Sequence, residues 1–232
     1  MARRPDAECI AILGSRGCGK STWLRQWLER EAPGRLGLWD VKREHKLAGL
    51  VGTDNLAEYV RALRARTWRL AFYPSMMDAK RRAREFEIWC AAMYRAKHCC
   101  AVVEELAFMT TPSRAPQAWR TLSLLGRDEN PAGGNVTVLA TSQRPASIDK
   151  DFVGNATLIH CGRLPYFNDA DTVARTLGVR ADELQQLAPL AWLERGQADS
   201  EARRGVLSFA GKKSRAPRAR AKDGTAVLST AS

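Results

Sequence analysis

Long apolar runs are missing from this 232-residue chain. No stretch approaches the ~18–20 consecutive apolar residues that a membrane-crossing helix needs, and the opening MARRPDAEC has no apolar signal core. A soluble, intracellular protein is the expectation. Paired cysteines are missing too. The six thiols, Cys9, Cys18, Cys90, Cys99, Cys100 and Cys161, form no C-x-x-C pair, which sets aside the usual zinc and redox spacings. His98-Cys99-Cys100 has the composition of a metal cluster, but adjacent residues entering a strand point opposite ways, so buried reduced thiols are expected. Acidic residues are in short supply, 25 against 37 Lys and Arg, for a net charge of +12. That balance is unusual for a plain metabolic enzyme and suggests a polyanionic partner, most simply nucleic acid. No internal repeat is found.

What the chain does have is 45% apolar residues, enough for one generous α/β domain, or one domain plus a tail. Residues 14–22 read GSRGCGKST, in which Gly14, Gly19, Lys20 and Ser21 satisfy G-x-x-x-x-G-K-[ST]. An apolar run, Cys9 to Leu13, leads in as a buried strand, and Thr22 to Arg30 leads out as an amphipathic helix. Glycines let a backbone wrap closely around phosphate oxygens, and a first helical turn aims its free N–H groups and dipole at them. Gly14, Ser15, Arg16, Gly17, Cys18, Gly19, Lys20, Ser21 and Thr22 are therefore the expected cradle for ATP. Lys20 would pair with the β- and γ-phosphates and Ser21 would hold Mg²⁺.

Taken in order, the rest reads as alternating strands and helices. Leu36 to Lys42 is a predicted strand, residues 55–66 a helix carrying Arg61, Arg64 and Arg66, and Trp68 to Tyr73 a third strand. A long helix is expected over 78–97, with Phe86, Trp89, Cys90 and Met93 on one face and Lys80, Arg81, Arg82 and Arg84 crowding its first turns. Those cations oppose the helix dipole. Cys99 to Glu105 is a short apolar strand ending in two acids; 116–127 is a helix, 128–135 a turn-rich loop, and Val136 to Gln143 a fifth buried strand. Further strands are expected at 157–161, near 191–195 and near 205–209, with helices at 169–177 and 181–187. This order predicts an α/β fold, a mostly parallel central sheet with helices on both faces. An ATPase domain would cover 1–211, and 212–232, basic and without periodicity, is an expected disordered tail.

Phosphoryl transfer to water needs a metal, a group that activates the water and positive charge on the γ-phosphate. Acids at the end of a strand neighbouring the P-loop strand would supply the first two: Glu104 holding the metal through water, Glu105 activating the nucleophile. The bland alternative is a pair of exposed strand-end glutamates. Gln143, in Ala140-Thr141-Ser142-Gln143-Arg144-Pro145, is placed to contact the γ-phosphate or that water.

A P-loop, an acidic pair after an apolar strand and a strand ending in T-S-Q-R-P together resemble the FtsK–HerA superfamily of DNA-pumping ATPases, with a RecA/ASCE-like fold. Within it the chain is similar to the genome-packaging ATPases of tectivirus-type internal-membrane phages. Trp39-Asp40-Val41-Lys42-Arg43-Glu44 resembles that family's second strand, with Asp40 and Glu44 at matching places. The likeness covers roughly residues 9–163. One departure is Glu104-Glu105 where the family usually has Asp then Glu. The resemblance implies an ATP-driven double-stranded DNA translocase packaging a viral genome into a preformed capsid. It also implies a homo-oligomeric ring, commonly a hexamer, partnered by capsid-vertex or membrane proteins in the host cytoplasm or at the virion packaging vertex. In such rings an arginine from one subunit completes its neighbour's site; Arg127 matches best and Arg120 second.

DNA would be gripped through its phosphates by the cations of 61–66 and 80–84, the GGN loop at 133–135 and the tail from Lys212 to Lys222. Trp39, Trp68, Trp89 and Trp119 are expected in the core or between subunits. Three other readings stand beside this one: a filamentous-phage assembly ATPase of Zot type, a non-motor DNA-binding protein, which would leave the acidic pair and P-loop without a purpose, and a nucleotide switch or kinase-like P-loop enzyme acting on a small molecule. Against the last stand the charge and the absence of a guanine-specifying N-K-x-D motif.

Overall fold

The computed structural model describes residues 7–208. The apolar run Cys9–Leu13 forms β1, buried along its whole length, as a strand covered on both faces must be. It is followed by α1 (Lys20–Glu31), β2 (Arg35–Trp39), β3 (Val51–Thr53), α2 (Leu56–Ala62), β4 (Trp68–Phe72), α3 (Ala79–Ala96) and β5 (Cys99–Val103). Next come α4 (Gln117–Leu125), β6 (Glu129–Asn130), β7 (Gly133–Gly134), β8 (Val136–Ser142), α5 (Lys150–Gly154) and β9 (Leu158–Gly162). The described chain closes with α6 (Phe167–Leu177), α7 (Ala181–Gln186), β10 (Ala191–Gly196) and β11 (Arg203–Val206).

Nine strands form one sheet in the order β11-β10-β9-β1-β8-β5-β2-β4-β3. Neighbours from β9 to β3 are all parallel, and β10 and β11 add an antiparallel edge. The expected architecture is thus the observed one, with one correction. The acidic strand β5 does not neighbour β1, because β8 lies between them and pairs with both. The parallel run brings the ends of β1, β8, β5 and β2 to one edge, which is where ligands sit in open α/β sheets.

Side chains alternate across the sheet with period two. In β5, Cys99, Ala101 and Val103 enter the larger buried cluster, while Cys100 and Val102 enter the smaller one on the other face. That alternation separates the adjacent thiols, and all six cysteines are buried and free. Helix cover is unequal: α1 alone packs Leu24, Trp27 and Leu28 on the smaller cluster, whereas α2 to α7 all contribute to the larger. Trp39, Trp68, Trp89 and Trp119 are all buried core residues. Trp39 meets Phe86 and Trp89 edge-on, at centroid distances of 5.0 and 5.9 Å.

Two expectations about cations change. Asp78 caps α3 by accepting from Arg81 N at 2.9 Å, Arg81 pairs with Glu85 at 2.6 Å, and Arg82 binds the carbonyls of Ser75 and Met76. Two of the four cations there thus stitch the helix entry. The GGN loop does not project either. Gly133 and Gly134 are buried in β7, where a Cβ on Gly133 would stand 2.5 Å from the Tyr94 ring. The basic tail lies outside the described residues.

Candidate nucleotide site

The loop between β1 and α1 is pinned at its first two residues. Gly14 N donates to Ser142 O at 3.2 Å and Ser15 N to Arg163 O at 2.8 Å, so the ends of β8 and β9 fix it. Gly14, Gly17 and Gly19 have φ of 139°, 79° and 103°, values that side chains with a Cβ rarely adopt. A Cβ on Gly14 would stand 2.5 Å from Cys18 Sγ. Lys20 is buried, and its Nζ donates to Gly14 O at 2.6 Å and Ser15 O at 2.9 Å. Burial pulls its ammonium below the usual lysine range, opposed by the charges of Cys18 and Glu105. A cavity of about 610 Å³ opens here, lined by Arg16, Gly17, Gly19, Lys20, Ser21 and Thr22, with Lys42, Glu44, Gln143 and Leu190.

The two acids after β5 diverge. Glu105 has φ 53° and ψ 65°, a left-handed backbone unusual for a side-chain residue. Its N–H donates to Thr141 Oγ1 at 3.0 Å, and both its carboxylate oxygens accept from Gln143, from the backbone N at 2.9 Å and from Nε2 at 2.8 Å. Glu104 turns the other way. Lys42 Nζ lies 3.3 Å and His45 Nε2 3.6 Å from its Oε1. Burial, the largest single influence, raises its pKa, but His45, Lys42 and Asp40 together outweigh it and hold the carboxylate at about 2. Asp40 moves the opposite way, raised by burial and by the charge of Glu104. Asp40 Oδ1 accepts from Lys42 N at 3.1 Å and Arg43 N at 2.7 Å, closing the turn that carries His45.

The structure therefore gathers Gly14 to Thr22, Gln143 and, behind Gln143, Glu105. Glu104 is adjacent but does not line the cavity. Arg127 is elsewhere. It precedes β8 and acts electrostatically on Cys9, at the amino end of β1. The seven residues of β8 separate that end from Gln143, about 20 Å at roughly 3.3 Å per residue. Arg120 pairs with Asp151 at 3.2 Å on the exposed surface. Within one chain Arg127 does not reach Lys20.

Fitting the phosphates of a nucleoside triphosphate requires free cation and N–H capacity, and the donor set has it: an exposed loop turn at Gly17, Lys20 satisfied only by its own loop, and Arg16 and Lys42 on the rim. Several solved structures share this fold. The chain is similar to the genome-packaging NTPase B204 of Sulfolobus turreted icosahedral virus 2, solved with AMPPCP: TM-score 0.64, 12% identity, covering 87% of this chain and 98% of that one. The two chains share one P-loop α/β fold. VirB4 of Thermoanaerobacter pseudethanolicus superposes with TM-score 0.60 at 12% identity, over 87% of this chain and 90% of VirB4. The pCW3 conjugation coupling protein TcpA gives TM-score 0.50 and 17% identity over 85% of this chain and 59% of TcpA. No protein-family model matches the sequence, and no curated protein sequence does.

Sequence reasoning missed three parts of this candidate nucleotide site. His45 joins Asp40 and Glu104; the D-x-x-x-x-H spacing just past β2 was its only signal. Leu207 crosses the loop, its Cδ1 2.4 Å from where a Cβ on Gly19 would stand, and Gln26 binds Ser208 O, so the C-terminal strands cover α1's entry. Arg144 is fixed by Asp169 at 2.7 Å and lies over the Tyr166 ring. Among the described residues no helix is long and apolar enough to cross a membrane.

Proposed function

We propose that the chain is an ATPase that drives double-stranded DNA into a preformed viral capsid as a homo-oligomeric ring. The observation that carries the ATPase half is the convergence of the P-loop, Gln143 and Glu105 on the ends of three consecutive sheet strands, β1, β8 and β5. Lys20 would exchange its loop carbonyls for phosphate oxygens, and Ser21, which lines the cavity, would hold Mg²⁺. The bound Mg²⁺ supplies charge neutralisation on the phosphates. Gln143 fixes both oxygens of Glu105, so the base is aimed before the nucleophilic water arrives.

The DNA half is supported by the net charge of +12 and by the solved structures with this fold, among them a genome-packaging NTPase. Arg127 serves in trans on this reading, since it lies at the far end of its own sheet.

The test is ATP hydrolysis across a protein concentration series, with and without double-stranded DNA, beside Lys20→Ala. Turnover that rises with concentration and with DNA, and is lost in the variant, supports the ring translocase. Turnover indifferent to both overturns it in favour of a small-molecule enzyme. Mixing Arg127→Ala with Lys20→Ala subunits restores activity if Arg127 acts across the interface; a mixture as inactive as its components removes that assignment.

A further inference from the structure

Three buried atoms beside the phosphate cavity lack a hydrogen bond of ordinary length, Asp40 Oδ2, His45 Nε2 and Glu104 Oε2, with His45 Nε2 standing 3.6 Å from Glu104 Oε1. Their side chains are all more than nine-tenths buried. Orphaned polar atoms are rare in folded interiors and call for an explanation. These three belong to one cluster, whose candidate ligand atoms all lie within 4.8 Å of one another.

We propose that Asp40, His45 and Glu104 form a binding site for a first-row divalent transition ion of the Zn²⁺ or Mn²⁺ class, separate from the Mg²⁺ that accompanies ATP. Two carboxylates balance the ion's charge and a neutral imidazole adds a third ligand. Ligands about 2.1 Å from one ion stand roughly 3.0–3.4 Å apart, so side-chain rotation closes the site from its present spacing. The donor set selects the ion. Imidazole suits Zn²⁺ and other transition ions, whereas Mg²⁺ prefers oxygen alone and keeps its waters. Mg²⁺ with ATP also needs Ser21, which lines the phosphate cavity, while none of the three cluster residues does.

The local chain is built to present these groups. Asp40 is held through its other oxygen, Oδ1, by the backbone N–H groups of Lys42 and Arg43. That leaves Oδ2 aimed at Glu104 and His45. Lys42, whose side chain is one-third exposed, now neutralises Glu104. An entering cation takes over that role, and the lysine has room to turn toward the phosphate cavity it already lines.

Co²⁺ is the probe, added to chelator-treated, nucleotide-free full-length protein and followed by visible d–d absorption. One Co²⁺ per chain is expected, displaced by Zn²⁺ and retained in millimolar Mg²⁺. Asp40→Asn and His45→Gln should each weaken it at least tenfold, while Ser21→Ala leaves it unchanged. Zn²⁺ should raise the Tm of the parent and not of His45→Gln. Failure to see a stoichiometric spectrum, binding by both cluster variants as tight as the parent's, or intense near-ultraviolet thiolate-to-cobalt bands would each overturn the site.

Discussion

Glu104 and Glu105 are consecutive, yet they live in different chemistry. Glu105 is held by an uncharged partner, Gln143, through both oxygens; Glu104 is held by charge, between Lys42, His45 and Asp40. The left-handed backbone at Glu105 makes the divergence, since it turns the chain sharply just after β5. A carboxylate aimed by neutral hydrogen bonds is free to take a proton from water. One held down at about 2 by cations is a poor base and a good cation ligand. Two adjacent acids can thus divide base and electrostatic work.

The sharpest way to break this division is to neutralise each acid in turn. Glu105→Gln should cost at least a hundredfold in ATP turnover, within the 10²–10⁴ range of general-base catalysis, while nucleotide affinity holds within a few-fold. Turnover and binding measured on the same preparation decide it; comparable turnover in the variant would move the base role elsewhere. Glu104→Ala should instead act on stability. Removing Glu104 takes the counter-charge from buried His45 and from Lys42 while relieving Asp40 of a like charge, with a loss of about 2–3 kcal/mol, below the 3–5 typical of fully buried pairs because Lys42 is part-exposed. A urea midpoint unchanged from the parent would show that the cluster contributes nothing to the fold.

A smaller effect sharpens the Glu105 half. Gln143→Ala leaves the backbone N–H on Oε1 but frees Oε2, so the base keeps one of its two restraints. About a tenfold fall in kcat with little change in KM is expected, near the worth of one hydrogen bond to a charged group. A change in KM alone would instead make Gln143 a phosphate contact.

Much of this was legible in the chain. Apolar runs mark β1, β5 and β8, and G-x-x-x-x-G-K-[ST] marks the loop, because both are local patterns. Strand order is not local: nothing in Cys99 to Glu105 says that β8 will slide between it and β1. β3, three residues of Val-Gly-Thr, is too short to show a period. The partner of Glu105 is 38 residues away and was recognisable as a neighbour, but not as a bidentate one. His45 was invisible because its role depends on Glu104, which reaches it only after β5 has paired with β2. Arg127 was placed by likeness to a motif order, and the fold puts it near Cys9, at the opposite end of β1 from the P-loop.

A second imidazole gives the control for the charged half. His160, on β9, also sits beside a glutamate, Glu194 at 3.2 Å, which in turn binds Arg203 at 3.1 Å. Its ring stacks on Trp23 at 4.6 Å and faces Trp192 at 5.5 Å. The two histidines nevertheless shift in opposite directions. For His45 burial is outweighed by Glu104 and Asp40, and its pKa is raised. For His160 burial outweighs the single Glu194, whose charge Arg203 shares, and its pKa is lowered. A histidine depressed in the folded state contributes stability that is present above its unfolded value near 6.5 and is lost as pH falls through the folded one. Below about 6.5 the unfolded chain takes up the proton that the folded chain refuses. Urea midpoints measured from pH 7.5 downward should therefore fall more steeply for the parent than for His160→Gln, which cannot titrate. Parallel slopes would mean that Glu194 fully offsets the burial of His160 and leaves its pKa unshifted, and the contrast between one carboxylate and two would no longer explain the difference.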